Sequence, residues 1–116
     1  MNDQVTFETL VTEAGVDVVR VRGRLDARTS PALIERCAAS RERRRSLVLN
    51  LGGVTFLSSS GIGALLALTE EFRETGVELR IAEMSATVRD SVELLNLQEF
   101  LTLFDTEALA VQERAA

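Results

Sequence analysis

The segment LVLNLGGVTFLSSSGIGALLALTEEF, residues 47–72, decides the predicted fold, because a strand, a turn and a helix follow one another in it. Residues 46–51 are apolar at most positions and are bounded by turn residues, which is typical of a central strand covered on both faces. A Gly-Gly pair follows, and the next apolar pattern predicts a helix from about Gly61 to Glu74. Three consecutive serines, residues 58–60, lie where the strand gives way to the helix.

The sequence on either side of this segment predicts further strands. Residues 4–15 and 16–25 alternate apolar and polar positions, which indicates a hairpin of two strands. Residues 77–82 and 100–104 are two shorter apolar runs of the kind that form buried strands. The sequence therefore predicts two neighbouring strands at the start of the chain and single strands after that.

Helical patterns occupy the intervals between these strands. Ser30 followed by Pro31 is a typical helix start, with the serine as N-cap, and the pattern continues to residue 45. A second helix is predicted over residues 85–97 with Ser85 as cap, and a third over residues 105–116 with Asp105 as cap. The alternating order predicts an α/β fold: one domain over residues 1–116, with a mixed, mostly parallel sheet of four to five strands flanked by about four helices.

Several residue types are missing, and their absence excludes whole classes of chemistry. The chain has no histidine, lysine, tryptophan or tyrosine, and it has one cysteine. A Ser-His-Asp triad, a histidine-ligated metal, a Schiff-base lysine and a P-loop lysine are therefore impossible. The carboxylates show no metal-ligand spacing. With no histidine or lysine to act as a base, hydrolysis is disfavoured, and the sequence predicts neither a metal nor a cofactor.

The charge distribution bears on the partner. Residues 1–45 carry nine arginines and seven acidic residues, whereas residues 46–116 carry four and eleven, so the net charge of −5 is concentrated in the second part. A polyanion would be repelled there, which disfavours nucleic acid as a partner. An arginine-bearing protein fits better, and an ordinary solvated acidic surface is the commoner explanation of such a charge. No apolar run approaches the roughly 20 residues of a membrane span, and the first 15 residues lack a basic signal segment. These features predict a cytoplasmic protein.

The helix predicted after the three serines has small residues at the start of one face. This is the face that points away from the predicted core. On a helical wheel Gly63, Ala64 and Ala67 lie opposite the apolar face, and acidic residues follow them only in later turns. Small side chains let another surface approach the backbone closely. Alanine is also a good helix former, so a docking surface and an ordinary helix remain equal alternatives.

The serines themselves admit four interpretations. A hydrolase nucleophile is disfavoured, because glycines do not flank any of them at the required spacing and no base is available. A phosphate-binding turn lacks its lysine. A phosphorylated serine would place a dianion near the positive end of the helix, where it is tolerated, but would be unmatched inside a docked interface. An ordinary serine cap is the fourth interpretation, and local sequence alone favours it.

The wider pattern resembles the STAS-domain anti-sigma factor antagonists of bacterial partner-switching systems. The segments VRGRLDARTSPAL, LVLNLGGVTFLSSSGIGALL and GVELRIAEMSATVRDSVELLNLQEFLTLFDT carry this resemblance from about Val5 to Leu109. It implies a regulator that is not an enzyme. When unphosphorylated, such a protein binds an anti-sigma factor that is also a GHKL-type serine kinase, and so frees the sigma factor or other client that this factor holds. Phosphorylation by the kinase would then dissociate the complex, and a PP2C-type serine phosphatase would reset it.

The resemblance also implies site residues. The family acceptor maps to Ser59, with Ser60 (the predicted helix cap) and Ser58 as alternatives, and Asp26 maps to an acidic residue near the kinase contact. Where the family often has aspartate before the acceptor, this chain has Ser58. The predicted partner-binding surface consists of Asp26, Thr29, Ser58, Ser60, Gly61, Gly63 and Ala64 around Ser59.

Two other functions stay open from the sequence. One is a STAS subunit that no kinase modifies, such as a lipid-transport accessory or a stressosome scaffold. The other is a nucleotide-binding protein that holds phosphates in the Ser/Gly turn.

Overall fold

The structure, a computed structural model, describes residues 4–112 and contains five strands and four helices within them. In chain order these are β1 Val5–Val11, β2 Val16–Leu25, α1 Ser30–Glu42, β3 Ser46–Leu57, α2 Ser59–Thr75, β4 Leu79–Ala82, α3 Ala86–Leu94, β5 Thr102–Phe104 and α4 Glu107–Gln112. The predicted element order is confirmed.

The strands form a single sheet in the order β1-β2-β3-β4-β5. The initial hairpin pairs antiparallel, and every later pair is parallel, which confirms the predicted mixed, mostly parallel α/β sheet. Because β2 to β5 run in the same direction, the loops that follow them lie along one edge of the sheet. That carboxyl edge is where functional loops gather in sheets of this kind.

The two faces of the sheet are covered unequally. Residues of α1, α2 and α3 pack in one large apolar cluster against alternate strand residues such as Leu49 and Ile81. The intervening strand residues, among them Val18 and Val48, face the other side and pack with Ala110 of the short helix α4. Helix α2 is thus held firmly on the better-covered face, with its first turn at the carboxyl edge.

Strand β3 is longer than predicted. It continues from Ser46 through the Gly-Gly pair to Leu57, so the prediction that the strand ends before Gly52 was wrong. The pairing of β2 with β3 shifts register beside the pair, between Arg20 and Arg22. A Cβ at Gly53 would lie 2.8 Å from Cγ of Arg22, so this glycine allows the two strands to approach closely and does not form a turn.

The N-caps of two helices differ from prediction by one residue. Ser30 is the first residue of α1 rather than its cap, and its hydroxyl donates to the Asp26 carbonyl at 2.7 Å. Thr106, not Asp105, caps α4, because its hydroxyl accepts from the Leu109 N–H at 3.1 Å. Ser85 caps α3 as predicted. The predicted continuation of the last helix over residues 113–116 lies outside the described residues.

The basic end of α1 neutralises a buried carboxylate at the other edge of the sheet. Asp17, near the start of β2, is fully buried, and its oxygens accept hydrogen bonds at 2.6 Å each from Ser40, Arg43 and Arg45. Cations at the end of a helix are usually placed to interact with the helix dipole. Here Arg43 and Arg45 form ion pairs with Asp17 instead, and this ties α1 to β2.

Cys37 is a core residue, as the sequence pattern of α1 predicts. Its side chain is fully buried in the large apolar cluster. Burial raises the pKa of the thiol to about 12, so the thiolate that would react is scarce at neutral pH.

Candidate functional site

The loops after β2 and β3 lie side by side at the carboxyl edge of the sheet. Leu25 and Leu57, the last residues of the two strands, are register partners. The Ser58 N–H donates to the Leu25 carbonyl at 2.9 Å, so the pairing extends into the loops. This contact places the three serines next to Asp26, two features that are more than thirty residues apart in the chain.

Ser58 is the N-cap of α2. Its backbone is extended (φ −89°, ψ 173°), and its hydroxyl oxygen accepts from the Gly61 N–H at 3.3 Å. The prediction of Ser60 as the cap was therefore wrong, and the helix begins at Ser59, two residues earlier than predicted. An N-cap must leave the helical backbone conformation, and the pairing of the Ser58 N–H with Leu25 fixes which serine does so.

Ser59 and Ser60 occupy the first turn of α2 and are exposed to solvent. Within residues 4–112 neither hydroxyl has a hydrogen-bond partner. The three serines therefore differ chemically: the Ser58 hydroxyl is engaged in capping, whereas those of Ser59 and Ser60 are accessible. The positive end of the helix lies beside both.

Asp26 and Thr29 hold their own loop together. Asp26 Oδ1 accepts from the Arg28 N–H at 3.0 Å and from the Thr29 N–H at 3.2 Å, while the Thr29 hydroxyl accepts from the Asp26 N–H at 2.9 Å. This reciprocal arrangement is a capping box. Partial burial alone would raise the pKa of Asp26, but these hydrogen bonds and the nearby Arg24 outweigh it and lower the pKa.

Three residues of the predicted surface are buried. They are Thr29, which is inaccessible to solvent, Gly61, and Ala64, which is 5% exposed. A Cβ at Gly61 would lie 2.6 Å from the Leu25 carbonyl oxygen, so only glycine lets α2 start this close to β2. Helix α1 packs on α2, a contact that a helical wheel of α2 alone does not reveal. The expectation that these residues are exposed was wrong.

The remaining small residues form an open strip on α2. Gly63 and Ala67 are exposed, and no heavy atom lies within 4 Å of a Cβ built at Gly63. Ile62 and Leu66 are half-buried at the side of this strip. We refer to Ser59, Ser60, Gly63 and Ala67 together as the serine face. It offers an approaching protein a nearly bare helix backbone with two hydroxyls at one end.

An arginine–aromatic pair at the carboxyl ends of β2 and β3 was missed by the sequence analysis. The guanidinium of Arg24 lies over the ring of Phe56, 4.0 Å from the ring centroid, and its Nε is 3.5 Å from Oδ2 of Asp26. The two residues are register partners on β2 and β3. With β3 extended to Leu57, strand alternation puts Phe56 on the face opposite Leu57, and this is the sequence signal that identifies the pair.

Across the described part of the chain no group of three or more metal-binding side chains comes together. In the same residues no helix has the length and apolar character of a membrane span. The first turn of α2 offers accessible hydroxyls and a positive helix end, which suit covalent modification by, or contact with, another protein.

Comparisons with known proteins agree on one family. The family model described as STAS domain matches residues 9–110. The anti-sigma F factor antagonist of Paenibacillus polymyxa is 28% identical over 97% of this chain and 96% of its own length. The anti-sigma-F factor antagonist RsfB of Mycobacterium tuberculosis is 29% identical over 90% of this chain and 84% of its own.

Solved structures give the same result. The crystal structure of an anti-sigma factor antagonist from Mycobacterium paratuberculosis superimposes with a TM-score of 0.83 at 27% identity, covering 97% of this chain and 98% of the other.

Proposed function

This chain belongs to the STAS-domain family, and from that premise we propose that it is an anti-sigma factor antagonist switched by phosphorylation of Ser59. The unphosphorylated chain binds an anti-sigma factor that is also a GHKL-type serine kinase and thereby releases the client of that factor. The kinase then phosphorylates Ser59 and the complex dissociates. A PP2C-type phosphatase restores the binding form. The protein works in the cytoplasm and catalyses no reaction itself.

The observation that carries this proposal is the position of an accessible serine hydroxyl at the end of a bare helix face. Ser59 is exposed at the first position of α2, and Gly63, one turn further along, leaves open space above the backbone. A partner that packs closely on Gly63 must also cover Ser59. Relatives of similar length are named as anti-sigma factor antagonists, which supports a protein partner of this kind.

A phosphate on Ser59 would act on the complex and not on the fold. In the free protein the dianion lies in water beside the positive helix end, where it contributes roughly 0.3–1 kcal/mol of stabilisation. In the complex the same dianion would lose its hydration, and no positive charge of the partner would lie opposite to compensate for that loss. A penalty of about 3–4 kcal/mol lowers affinity by two to three decades.

Ser59 is preferred over its neighbours for structural reasons. The Ser58 hydroxyl already accepts the Gly61 N–H, so a phosphate there would have to replace the cap of α2. Ser60 is as exposed as Ser59, and its assignment depends on the family correspondence. Family members often have aspartate at the position of Ser58. Serine caps the helix as an aspartate could, but it does not carry the negative charge.

Enlarging Gly63 should separate binding from stability. We expect Gly63→Ala to raise the free energy of unfolding by about 0.5–1 kcal/mol, because a helical glycine is replaced and the new methyl group meets no atom. The larger Gly63→Gln should weaken binding to the kinase at least about tenfold, since its side chain fills the space that the partner occupies. The measurements are urea unfolding and surface plasmon resonance.

The control for this experiment is Ala108→Gln, which places the same side chain on an exposed position of α4. Binding should be unchanged by this variant. Equal affinity of Gly63→Gln and the unsubstituted chain for the kinase would contradict the placement of the partner on the serine face.

A further inference from the structure

We infer that the partner-binding surface continues from the serine face around the edge of the sheet onto Arg24 and Phe56, and that this extension receives an acidic, partly apolar segment of the partner. The inference rests on the proposed function and specifies the chemistry of the partner. It concerns a part of the molecule that the sequence did not single out.

The first argument is the exposure of Phe56. Its side chain is 38% exposed although it lies on a strand of the sheet, and the guanidinium of Arg24 covers only one side of the ring. A stacked arginine and aromatic ring present a flat surface with both apolar and charged parts. Aromatic side chains, phenylalanine among them, and arginine are enriched in protein interfaces relative to the rest of the surface.

The second argument is that the pair is fixed before a partner arrives. The register of β2 and β3 holds Arg24 opposite Phe56, and Asp26 contacts Nε of the guanidinium at 3.5 Å. Asp26 is in turn held by the capping box with Thr29. Little side-chain freedom remains to be lost on binding, which reduces the entropic cost of association.

The third argument is continuity with the serine face. Phe56 precedes the cap residue Ser58 by two positions, and the Ser58 N–H is bonded to Leu25, the residue after Arg24. A protein that covers Ser59 and Gly63 therefore comes to the end of the strand pair that carries Arg24 and Phe56. Asp26 lies between the two regions and links them.

The fourth argument is local charge. Residues 22–28 contain three arginines and one aspartate, in a chain whose residues 46–116 carry a net charge of −7. Arg22, Arg24 and Arg28 are exposed, while the Asp26 carboxylate is occupied by backbone N–H groups. An acidic group of the partner is favoured at this basic spot, although the protein as a whole is acidic.

The test measures the affinity of the complete chain for the GHKL-type serine kinase of the same genome that binds it, without ATP. We expect Phe56→Ala to weaken binding about tenfold or more and Arg24→Glu about 100-fold. Affinity of the unsubstituted chain should fall as salt is raised, and this dependence should be smaller in Arg24→Ala. The control is Arg36→Ala, which removes another arginine–aromatic contact, over Phe7 on β1, and should change affinity less than about twofold.

The possible outcomes are distinct. If Gly63→Gln abolishes binding but the Arg24 and Phe56 variants bind normally, the inference is wrong and the proposed function stands. If those variants lower the midpoint of thermal unfolding but leave the affinity unchanged, the pair only stabilises the fold and the inference is also wrong. Self-association of the chain that Arg24→Glu abolishes would assign the surface to a second copy and overturn it. If no such kinase binds the chain, the proposed function fails and takes the inference with it.

Discussion

Replacing Ser59 with aspartate will weaken binding of the anti-sigma partner about 100-fold or more, whereas Ser59→Ala will bind at least as tightly as the unsubstituted chain. The carboxylate places a negative charge at the first position of α2, beside the open space at Gly63. Burying that charge in an interface without a partner ion costs several kcal/mol, and each 1.4 kcal/mol is a factor of ten in affinity. Alanine removes only a small hydroxyl. Calorimetry with the purified kinase, without ATP, gives both values.

The fold itself provides a control for this experiment. Ala86 is the first residue of α3 and follows a serine cap, just as Ser59 follows Ser58, so Ala86→Asp puts the same charge at an equivalent helix start. Both aspartates should leave the free energy of unfolding unchanged or slightly higher, because each lies at the positive end of a helix. Equal affinities of Ser59→Asp and Ser59→Ala would contradict the switch. Equal weakening by Ser59→Asp and Ala86→Asp would show a general effect of charge.

Replacing Asp17 with alanine will lower the free energy of unfolding by roughly 3 kcal/mol. Asp17 is fully buried and accepts hydrogen bonds from Ser40, Arg43 and Arg45. Its loss leaves a buried hydroxyl and two arginines without their acceptor, and hydrogen bonds to charged groups are among the strongest in proteins. The measurement is urea unfolding at neutral pH.

Asp17→Ala should leave the affinity for the kinase unchanged. Asp17 and Leu25 are eight residues apart on an extended strand, so about 26 Å separates the ion-pair cluster from the serine loops. Asp17→Asn keeps the shape of the side chain and should lower the free energy of unfolding by about half as much as Asp17→Ala. Arg44→Ala changes an exposed neighbouring residue and should lower it little. A loss below about 1 kcal/mol for Asp17→Ala would contradict the stabilising role of the cluster.

The order of elements could be predicted from the sequence because it depends on local patterns. Alternation within residues 4–25 and helical spacing after Pro31 identify the hairpin and α1. The Gly-Gly pair misled the prediction of β3, since glycine usually interrupts strands. Here Gly53 is required because β2 comes too close for a side chain, and that approach depends on a residue some thirty positions away.

The position of the candidate site in the fold could be predicted from the sequence, but the contacts within the site could not. The serines follow a central strand as predicted, yet the identity of the cap depends on the contact between Ser58 and Leu25. Ala64 is buried although a helical wheel of α2 places it opposite the apolar face. Arg24 and Phe56 meet only because two strands pair in one register. For the cap and for this pair, a long-range contact determines what the local pattern left open.

The most direct test of the central claim is to incubate the chain with its GHKL-type kinase and ATP, and then to locate the phosphate by tandem mass spectrometry. We expect one phosphate per chain, on Ser59. We also expect none in Ser59→Ala, although that variant retains the Ser58 cap and the exposed Ser60 hydroxyl. An unmodified chain beside a kinase that is active on another substrate, or a phosphate outside Ser59, would contradict the proposal.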